Sequence, residues 1–274
     1  MRLNTLSMSF LLLFASAAFA DSSGIQDILA GKQRSPEHRA RDQYRHPAET
    51  IAFFGLKPNM TVVEIWPGGD GWYTEILAPY VREKGKLYAA HFSEDSPLEY
   101  FRNSLKKFIE KTKAEPEIYD KVEITAFSPP RKLDVAPDGV ADYVVTFRNV
   151  HNWYMRGGGD ESVVAAFKGM YKALKPGGML GVVEHRLPAN RPLADQEKSG
   201  YMREDYVIKQ AEAAGFKLVE KSEVNANPKD TADHPEGVWT LPPRLRLGDK
   251  DRERYLSIGE SDRMTLKFTK PEKL

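Results

Sequence analysis

The chain has 274 residues, of which 41% are hydrophobic and 29% are charged, and it contains 18 prolines, 20 glycines and no cysteine. This composition excludes collagen-like, low-complexity and wholly disordered chains, and the length suits one sizeable α/β domain or two small ones. Because cysteine is absent, a disulfide framework, a thiolate zinc site, an iron–sulfur cluster and a cysteine nucleophile are excluded as well.

The first twenty residues have the pattern of a secretory signal peptide. Arg2 precedes a short apolar run from Phe10 to Phe14, and Ala18-Phe19-Ala20 before Asp21 fits an A-x-A cleavage site. The run is too short to span a bilayer comfortably, so a cleaved signal is favoured over an uncleaved anchor. We therefore predict a periplasmic or secreted protein that does not contact the membrane once the signal, residues 1–20, is removed.

Charge patterning argues against a polyanionic partner. Removal of Arg2 with the signal leaves 39 basic and 39 acidic residues, a formal net charge of 0. Such a chain has no global field for nucleic acid or for an anionic membrane, so neither is predicted as a partner. Local basic pairs such as Lys106-Lys107 are interpreted as solvated faces.

The elements follow a regular order along the chain. Residues 21–45 are polar and are interpreted as a surface arm or short helices, and Pro47 begins a helix with Phe53 and Phe54 inward. Apolar or alternating runs predict seven strands, at 61–66, 86–92, 122–127, 141–146, 179–184, 216–224 and 263–269. Helices are predicted at 72–81, where Pro79 is expected to end or kink the helix, and at 97–111, 161–174 and 203–214.

Alternating strands and helices predict a parallel sheet covered on both faces, within one domain at residues 46–274. Residues 225–262, between the sixth and seventh strands, contain four prolines and no clear periodicity. An irregular stretch of this length inside a domain is usually functional or mobile. Within it, Trp239–Pro243 is interpreted either as a substrate lid or as a surface loop held by its own tryptophan.

The most informative segment is residues 62–77, in which a strand runs into a glycine-rich turn and then a helix. Glycines let the backbone approach a ligand closely, and the start of a helix presents free N–H groups. In open α/β sheets the ligand crevice lies at the carboxyl ends of the strands, and Glu64 is expected to face it. A tight strand–helix turn without a ligand is the alternative, and it stays open.

Several features together resemble the class I S-adenosylmethionine-dependent methyltransferases. They are the glycine turn after the first strand, the Leu174–Gly178 turn before the fifth, and two adjacent strands at the end, and the resemblance covers roughly residues 46–270. The segments at 39–42, 47–49, 53–55, 147–153 and 260–263 are similar to a bacterial subgroup of predicted exported methyltransferases. The resemblance implies a Rossmann-like, seven-stranded, mostly parallel α/β sheet with an antiparallel last strand, and S-adenosylmethionine as the cofactor.

The cofactor-binding residues that the resemblance implies are Glu64, Gly68, Gly69, Asp70, Gly71, His91, Phe92 and Phe127. His91 stands where the family usually has an acidic residue for the ribose hydroxyls. A neutral imidazole accepts one such bond without the charge-assisted pairing, and Glu94 or Asp95 are the alternatives. Asp70 is interpreted as a turn residue in preference to a carboxylate facing the cofactor's ammonium group. Trp66 replaces the small residue that is common after the first strand.

The catalytic residues we predict lie in Thr146–Tyr154, a segment dense in hydrogen-bonding and aromatic groups. They are Arg148, Asn149 and His151. His151 is a base or substrate ligand, or else a structural histidine that caps local backbone. Arg148 binds an anionic substrate group or pairs with Glu64. A metal site built from His151, His185 and a carboxylate lacks a tight ligand spacing, so no metal is predicted.

Two functions follow from these observations. The first is an exported S-adenosylmethionine-dependent methyltransferase that acts on a small molecule, with an acceptor that the sequence does not name. The second is a non-catalytic ligand-binding protein on a degenerate methyltransferase fold, which His91 and the irregular turn favour. Export raises the question of cofactor supply, because a charged cofactor does not cross a bilayer unaided. The sequence makes no prediction of oligomeric state.

Overall fold

A computed structural model describes residues 24–272, so the predicted signal peptide lies outside the described residues. Eight strands form its sheet: β1 (Thr61–Ile65), β2 (Lys86–His91), β3 (Val122–Ala126), β4 (Ala141–Phe147), β5 (Leu174–Leu187), β6 (Met202–Arg203), β7 (Lys217–Ser222) and β8 (Arg263–Thr269). The order across the sheet is β3-β2-β1-β4-β5-β8-β7, and β6 pairs only with β5.

Strand directions confirm the predicted fold class. The pairs between β1 and β2, β1 and β4, β2 and β3, and β4 and β5 are all parallel. β8 is antiparallel to both β5 and β7. The protein therefore has a Rossmann-like, mostly parallel sheet of seven long strands with an antiparallel final strand, and β6 adds only two residues.

Helices cover both faces of this sheet. They are α1 (24–30), α2 (Pro36–Arg39), α3 (Asp42–Arg45), α4 (Pro47–Phe54), α5 (Thr74–Val81), α6 (Glu99–Ala114), α7 (Pro116–Tyr119), α8 (Val150–Trp153), α9 (Gly159–Ala173), α10 (Gln196–Ser199), α11 (Glu204–Ala213) and α12 (Arg252–Ile258). A π-helical turn spans Tyr154–Gly158, and 3-10 turns span Leu193–Asp195 and Gly237–Thr240. Within residues 24–272, none of the helices has the length and apolar character needed to cross a bilayer.

The two faces of the sheet have separate cores, because successive residues of a strand point to opposite sides. Val63 and Val144 join the core beneath α9 and α11. Their neighbours Val62 and Val145 join the core beneath α4 and α5. Strands buried on both faces read as continuous apolar runs, and this is why β1 and β4 were recognisable from the sequence.

Pro79 lies inside α5 and does not end it, so of the two expected effects, an end or a kink, the first does not occur. The helix continues to Val81. A proline inside a helix lacks the N–H that would bond the carbonyl four residues earlier, here that of Glu75. Gln33 Nε2 donates to this carbonyl at 3.2 Å and replaces the missing donor.

Three other features differ from the predictions: the start of one strand, the burial of two arginines and the presence of one more helix. β5 begins at Leu174, so the Lys175–Gly178 turn lies in the irregular start of the strand, where the register against β4 shifts. Residues 24–45 form short helices as expected, but Arg34 and Arg45 are buried instead of lying on the surface. The 225–262 stretch contains α12, whose sequence shows too few apolar residues to reveal it.

Candidate active site and cofactor pocket

The glycine turn after β1 offers unused backbone donors. The N–H groups of Gly68, Gly69 and Asp70 make no hydrogen bond to any described residue. Gly68 has a φ of 76°, and a Cβ there would meet nothing within 4 Å, so space is open beside it. Adjacent free amides form a binding site for an anionic group such as a carboxylate. This end of the turn fits the methionine part of S-adenosylmethionine.

The other two glycines of the turn have a packing role. A Cβ at Gly69 would lie 3.2 Å from the Lys107 side chain, and one at Gly71 would lie 2.9 Å from the Phe108 ring. Both contacts are with α6, so these positions hold the turn close against that helix. Asp70 forms an ion pair with Lys107 Nζ at 2.5 Å, on the exposed side of the turn.

Aromatic side chains fill the region around Phe127, where the resemblance implies that the adenine of the cofactor is contacted. The Trp66 ring lies 4.7 Å from Phe92 and 6.0 Å from both Phe127 and Trp153, measured between ring centroids. Trp66 Nε1 also donates to the Phe127 carbonyl at 2.8 Å. We call Trp66, Phe92, Phe101, Phe127 and Trp153 the aromatic cluster. For an adenosine to enter here, the Trp66 ring has to leave.

His91 has no hydrogen-bonding capacity left for a ribose. Its Nδ1 accepts the Phe92 N–H at 2.7 Å, and its Nε2 lies 3.3 Å from the Gly68 carbonyl. Burial lowers the pKa of His91 to about 4, so the imidazole is neutral at pH 7. The expectation that His91 accepts a ribose hydroxyl is therefore wrong in this conformation. The alternative Asp95 is exposed and paired with Lys132 at 2.7 Å.

Glu64 is a buried carboxyl at the end of β1, with 2% of its surface exposed. Thr74 Oγ1 donates to its Oε2 at 2.6 Å. Burial raises the pKa of Glu64 to about 8, so the group is mostly protonated at pH 7. Arg148 makes no ion pair with it, which removes the alternative that these two residues neutralise each other.

In the predicted catalytic segment, His151 is paired with a buried carboxyl group. His151 Nδ1 lies 3.0 Å from Glu184 Oε1, and both residues are buried. A carboxylate only accepts hydrogen bonds, so Nδ1 carries the proton and donates it, which leaves the Nε2 lone pair available. Nε2 makes no hydrogen bond to a described residue. The pair has the arrangement in which a carboxylate orients a histidine for proton transfer.

Glu184 is held in place by the backbone around it. Its Oε2 accepts the N–H of Val150 at 2.6 Å and of His151 at 3.3 Å. Its Oε1 accepts the N–H of His185 at 2.8 Å. The sequence does not reveal this role of Glu184, because pairing between β4 and β5 is needed to bring it to His151.

Asn149 holds the segment that carries His151 against the end of β1. Its Nδ2 donates to the carbonyl of Ile65, the last residue of β1, at 2.8 Å, and to Thr146 Oγ1 at 3.2 Å. Trp239, from the 225–262 stretch, lies edge-on to the His151 ring at 6.1 Å. That stretch therefore packs beside His151.

Comparison with known proteins identifies the fold. No protein-family model matches the sequence, and neither does any curated protein. The chain is similar to a SAM-dependent methyltransferase from Aquifex aeolicus, at 17% identity and a TM-score of 0.55, over 91% of this chain and 98% of that one. It is similar to phosphoethanolamine N-methyltransferase 2 of Haemonchus contortus in complex with S-adenosyl-L-methionine, at 15% identity and a TM-score of 0.55, over 92% and 57%.

A third similar structure is that of the cyclase SpnF, at 14% identity and a TM-score of 0.55, over 94% of this chain and 96% of that one. The chain therefore has the fold of the class I S-adenosylmethionine-dependent methyltransferases. At these identities the likeness establishes the architecture, and the reaction has to be argued from the site.

Proposed function

We propose that this protein is an S-adenosylmethionine-dependent methyltransferase in which His151 acts as general base on a small-molecule acceptor. One observation carries the proposal: the free amides of the glycine turn and the oriented His151–Glu184 pair lie on the same edge of the sheet, at the carboxyl ends of β1, β4 and β5. The methyltransferase fold of the structural neighbours supports it. Methyl transfer needs an electrophilic methyl group and a nucleophile. The amides of the glycine turn would hold the donor of the methyl group, and the His151–Glu184 pair would activate the nucleophile.

The protein's own residues perform the acceptor half of the reaction. His151 Nε2 takes the proton from an acceptor hydroxyl or amine as the nucleophile attacks. Glu184, fixed by neighbouring N–H groups, accepts the hydrogen bond of His151 Nδ1 and so stabilises the imidazolium that forms. Trp239 lies edge-on to the His151 ring. S-adenosylmethionine, held by the amides of Gly68–Asp70, would supply the methyl group.

Calorimetric titration tests cofactor binding directly. We expect S-adenosylmethionine and S-adenosylhomocysteine to bind the protein, and Trp66→Ala to bind them about tenfold more tightly, because no ring then has to be displaced from the aromatic cluster. The matched control is Phe216→Ala, which opens a cavity of similar cost in the same core near β7, away from the turn. Its affinity for both ligands should equal that of the wild type.

A second candidate function is a ligand-binding protein that does not use this cofactor. The closed aromatic cluster and the fully bonded His91 favour it. The fold is compatible with other activities, since the similar SpnF is a cyclase. If neither the wild type nor Trp66→Ala binds either ligand, while circular dichroism shows both folded, the methyltransferase proposal is wrong and this second function takes its place.

We further propose that the protein is exported to the periplasm or beyond. The support is the signal pattern in residues 1–20 alone. Sequencing of the mature amino terminus from the native host should give Asp21. A mature chain that starts at Met1 would contradict export and would also remove the difficulty of cofactor supply.

A further inference from the structure

Beside the His151–Glu184 pair, four arginines surround a single carboxylate. Glu260 accepts hydrogen bonds from Arg41 Nε at 2.6 Å, from Arg45 Nε at 3.1 Å and from Arg263 Nη2. Arg148 is the fourth cation, and it is close enough to influence Glu260 electrostatically. Burial by itself would raise the pKa of Glu260, but the four arginines together lower it. The group therefore carries four positive charges and one negative charge.

Three donors of this arginine group have no acceptor. Arg45 Nη1, Arg148 Nη1 and Arg263 Nε are enclosed, and none of them bonds to a described residue. Arg45 and Arg263 are only 3% and 2% exposed. Buried polar groups nearly always have a partner, and each exception calls for an explanation. Here the missing partner has to be an acceptor, and the surplus of positive charge requires that it be negative.

The arginines lie near enough to one another that the charge of each lowers the pKa of a neighbour. Burial, followed by the charge of Arg263, lowers the pKa of Arg148 to about 10. Burial, followed by the charge of Arg148, lowers the pKa of Arg45. The backbone of Arg148 is itself strained, with a φ of 60°. Strain of this kind in a residue other than glycine tends to occur at functional sites.

Strand pairing places the arginine group next to the base. Arg263 on β8 is the direct cross-strand partner of His185 on β5. The Arg148 N–H donates to the Val183 carbonyl at 2.7 Å, two residues from His185. Burial, and after it the charges of His151, Arg263, Arg148 and Arg45, lower the pKa of His185. The arginine group therefore lies beside the two histidines.

A cation does not fit this region, although three side chains of metal-ligating type meet there. One donor atom from each of His151, Glu184 and His185 lies within 4.8 Å of the others. The oxygens of Glu184, however, already accept three backbone N–H groups and His151 Nδ1. The adjoining arginines add a net positive charge that repels a metal ion. The same charge attracts an anion.

We propose that Arg45, Arg148 and Arg263 bind an oxyanion, a carboxylate or phosphate group, that belongs to the acceptor substrate. The guanidinium fork pairs with such a group through parallel N–H···O bonds, and the three unused N–H groups supply them. Bound there, the substrate has its nucleophile held near His151. That the oxyanion belongs to the methyl acceptor rests on the proposed function. The oxyanion site itself rests only on the three arginines.

Thermal unfolding in anion titrations tests the site, because a ligand of the native state raises the melting temperature. Chloride is replaced by inorganic phosphate or by acetate at constant, low ionic strength, so that screening stays fixed. We expect a saturable rise with at least one of them, and a dissociation constant at least tenfold weaker in Arg148→Gln. The Arg148 side chain makes no hydrogen bond or ion pair with residues 24–272, so the substitution should leave folding intact. A stronger effect of phosphate assigns a phosphate group, and a stronger effect of acetate assigns a carboxylate.

The matched control is Arg82→Gln, which removes the same charge near the amino end of β2, at the opposite edge of the sheet. It should keep the wild-type response. The proposal is overturned if neither anion raises the melting temperature, if Arg148→Gln responds like the wild type, or if both variants lose the response equally. The calorimetric cofactor titration is independent: oxyanion binding without cofactor binding removes only the proposed function, and the reverse removes only the oxyanion site.

Discussion

The two halves of the sheet's carboxyl edge are built on opposite principles. After β1 and β2, aromatic rings pack together and both nitrogens of His91 are bonded. After β4 and beside β8, charged groups are buried with three donors unused. The first half contributes packing energy to the folded state. The second half leaves three buried donors without a partner. We propose that this half is the part that meets a substrate.

The largest expected effect concerns the charged half. His151→Ala should reduce methyl transfer by about 10²–10⁴-fold, the usual contribution of a positioned general base. Affinity for S-adenosylhomocysteine should stay unchanged, since the glycine turn is not altered. Release of S-adenosylhomocysteine in the presence of an acceptor measures the rate. His38→Ala, on α2, is the control. Undiminished turnover would return His151 to a structural role.

Glu260→Gln tests whether the arginine group depends on its one carboxylate. The substitution leaves the buried arginines without a counter-charge, and breaking a buried ion pair in this way costs about 3–5 kcal/mol of unfolding free energy. Urea unfolding measures the loss. Glu236→Gln, in an exposed pair with Arg246, should cost less than about 1 kcal/mol. Equal losses of unfolding free energy in the two variants would mean that the buried arginines do not depend on the charge of Glu260.

The smallest effect appears in the packed half, as a dependence on pH. The folded state keeps the proton of Glu64 up to about pH 8, whereas a typical unfolded glutamate releases it near 4.5. The contribution of Glu64 to stability is thus fully present below pH 4.5 and is lost as pH rises through 8, at about 1.4 kcal/mol per unit.

Glu64→Gln removes this titration while keeping an oxygen for the Thr74 hydroxyl. Urea unfolding at pH 5.5 and 7.5 should therefore show a smaller drop in stability for the variant than for the wild type. Parallel pH profiles for the two proteins would show that Glu64 is ionised in the folded state.

The strands and the glycine turn were predictable because their signals are local. β1 and β4 are continuous apolar runs, and the turn is a short motif that any scan of the chain exposes. His151 was recognisable in the same way, from the density of polar groups around it.

The charged site was only partly predictable, because it depends on long-range contacts. Arg45 and Arg263 are 218 positions apart in the chain and meet at Glu260. No periodicity reveals such a meeting. Trp66 fills the predicted adenosine region through contacts with residues that are distant in the chain, so the sequence did not reveal this packing. The sequence did show that Trp66 stands where a small residue is common.

The docking of the amino-terminal helices has a practical consequence for handling the protein. Arg45 is the last residue of α3, and Arg41 directly precedes that helix. Gln33 donates to the Glu75 carbonyl that Pro79 leaves without a donor in α5. A shortened chain that starts at residue 46 would keep every strand and lose two of the four arginines around Glu260. Tags and fusions therefore belong at the other terminus, with the helices after residue 24 left free to dock.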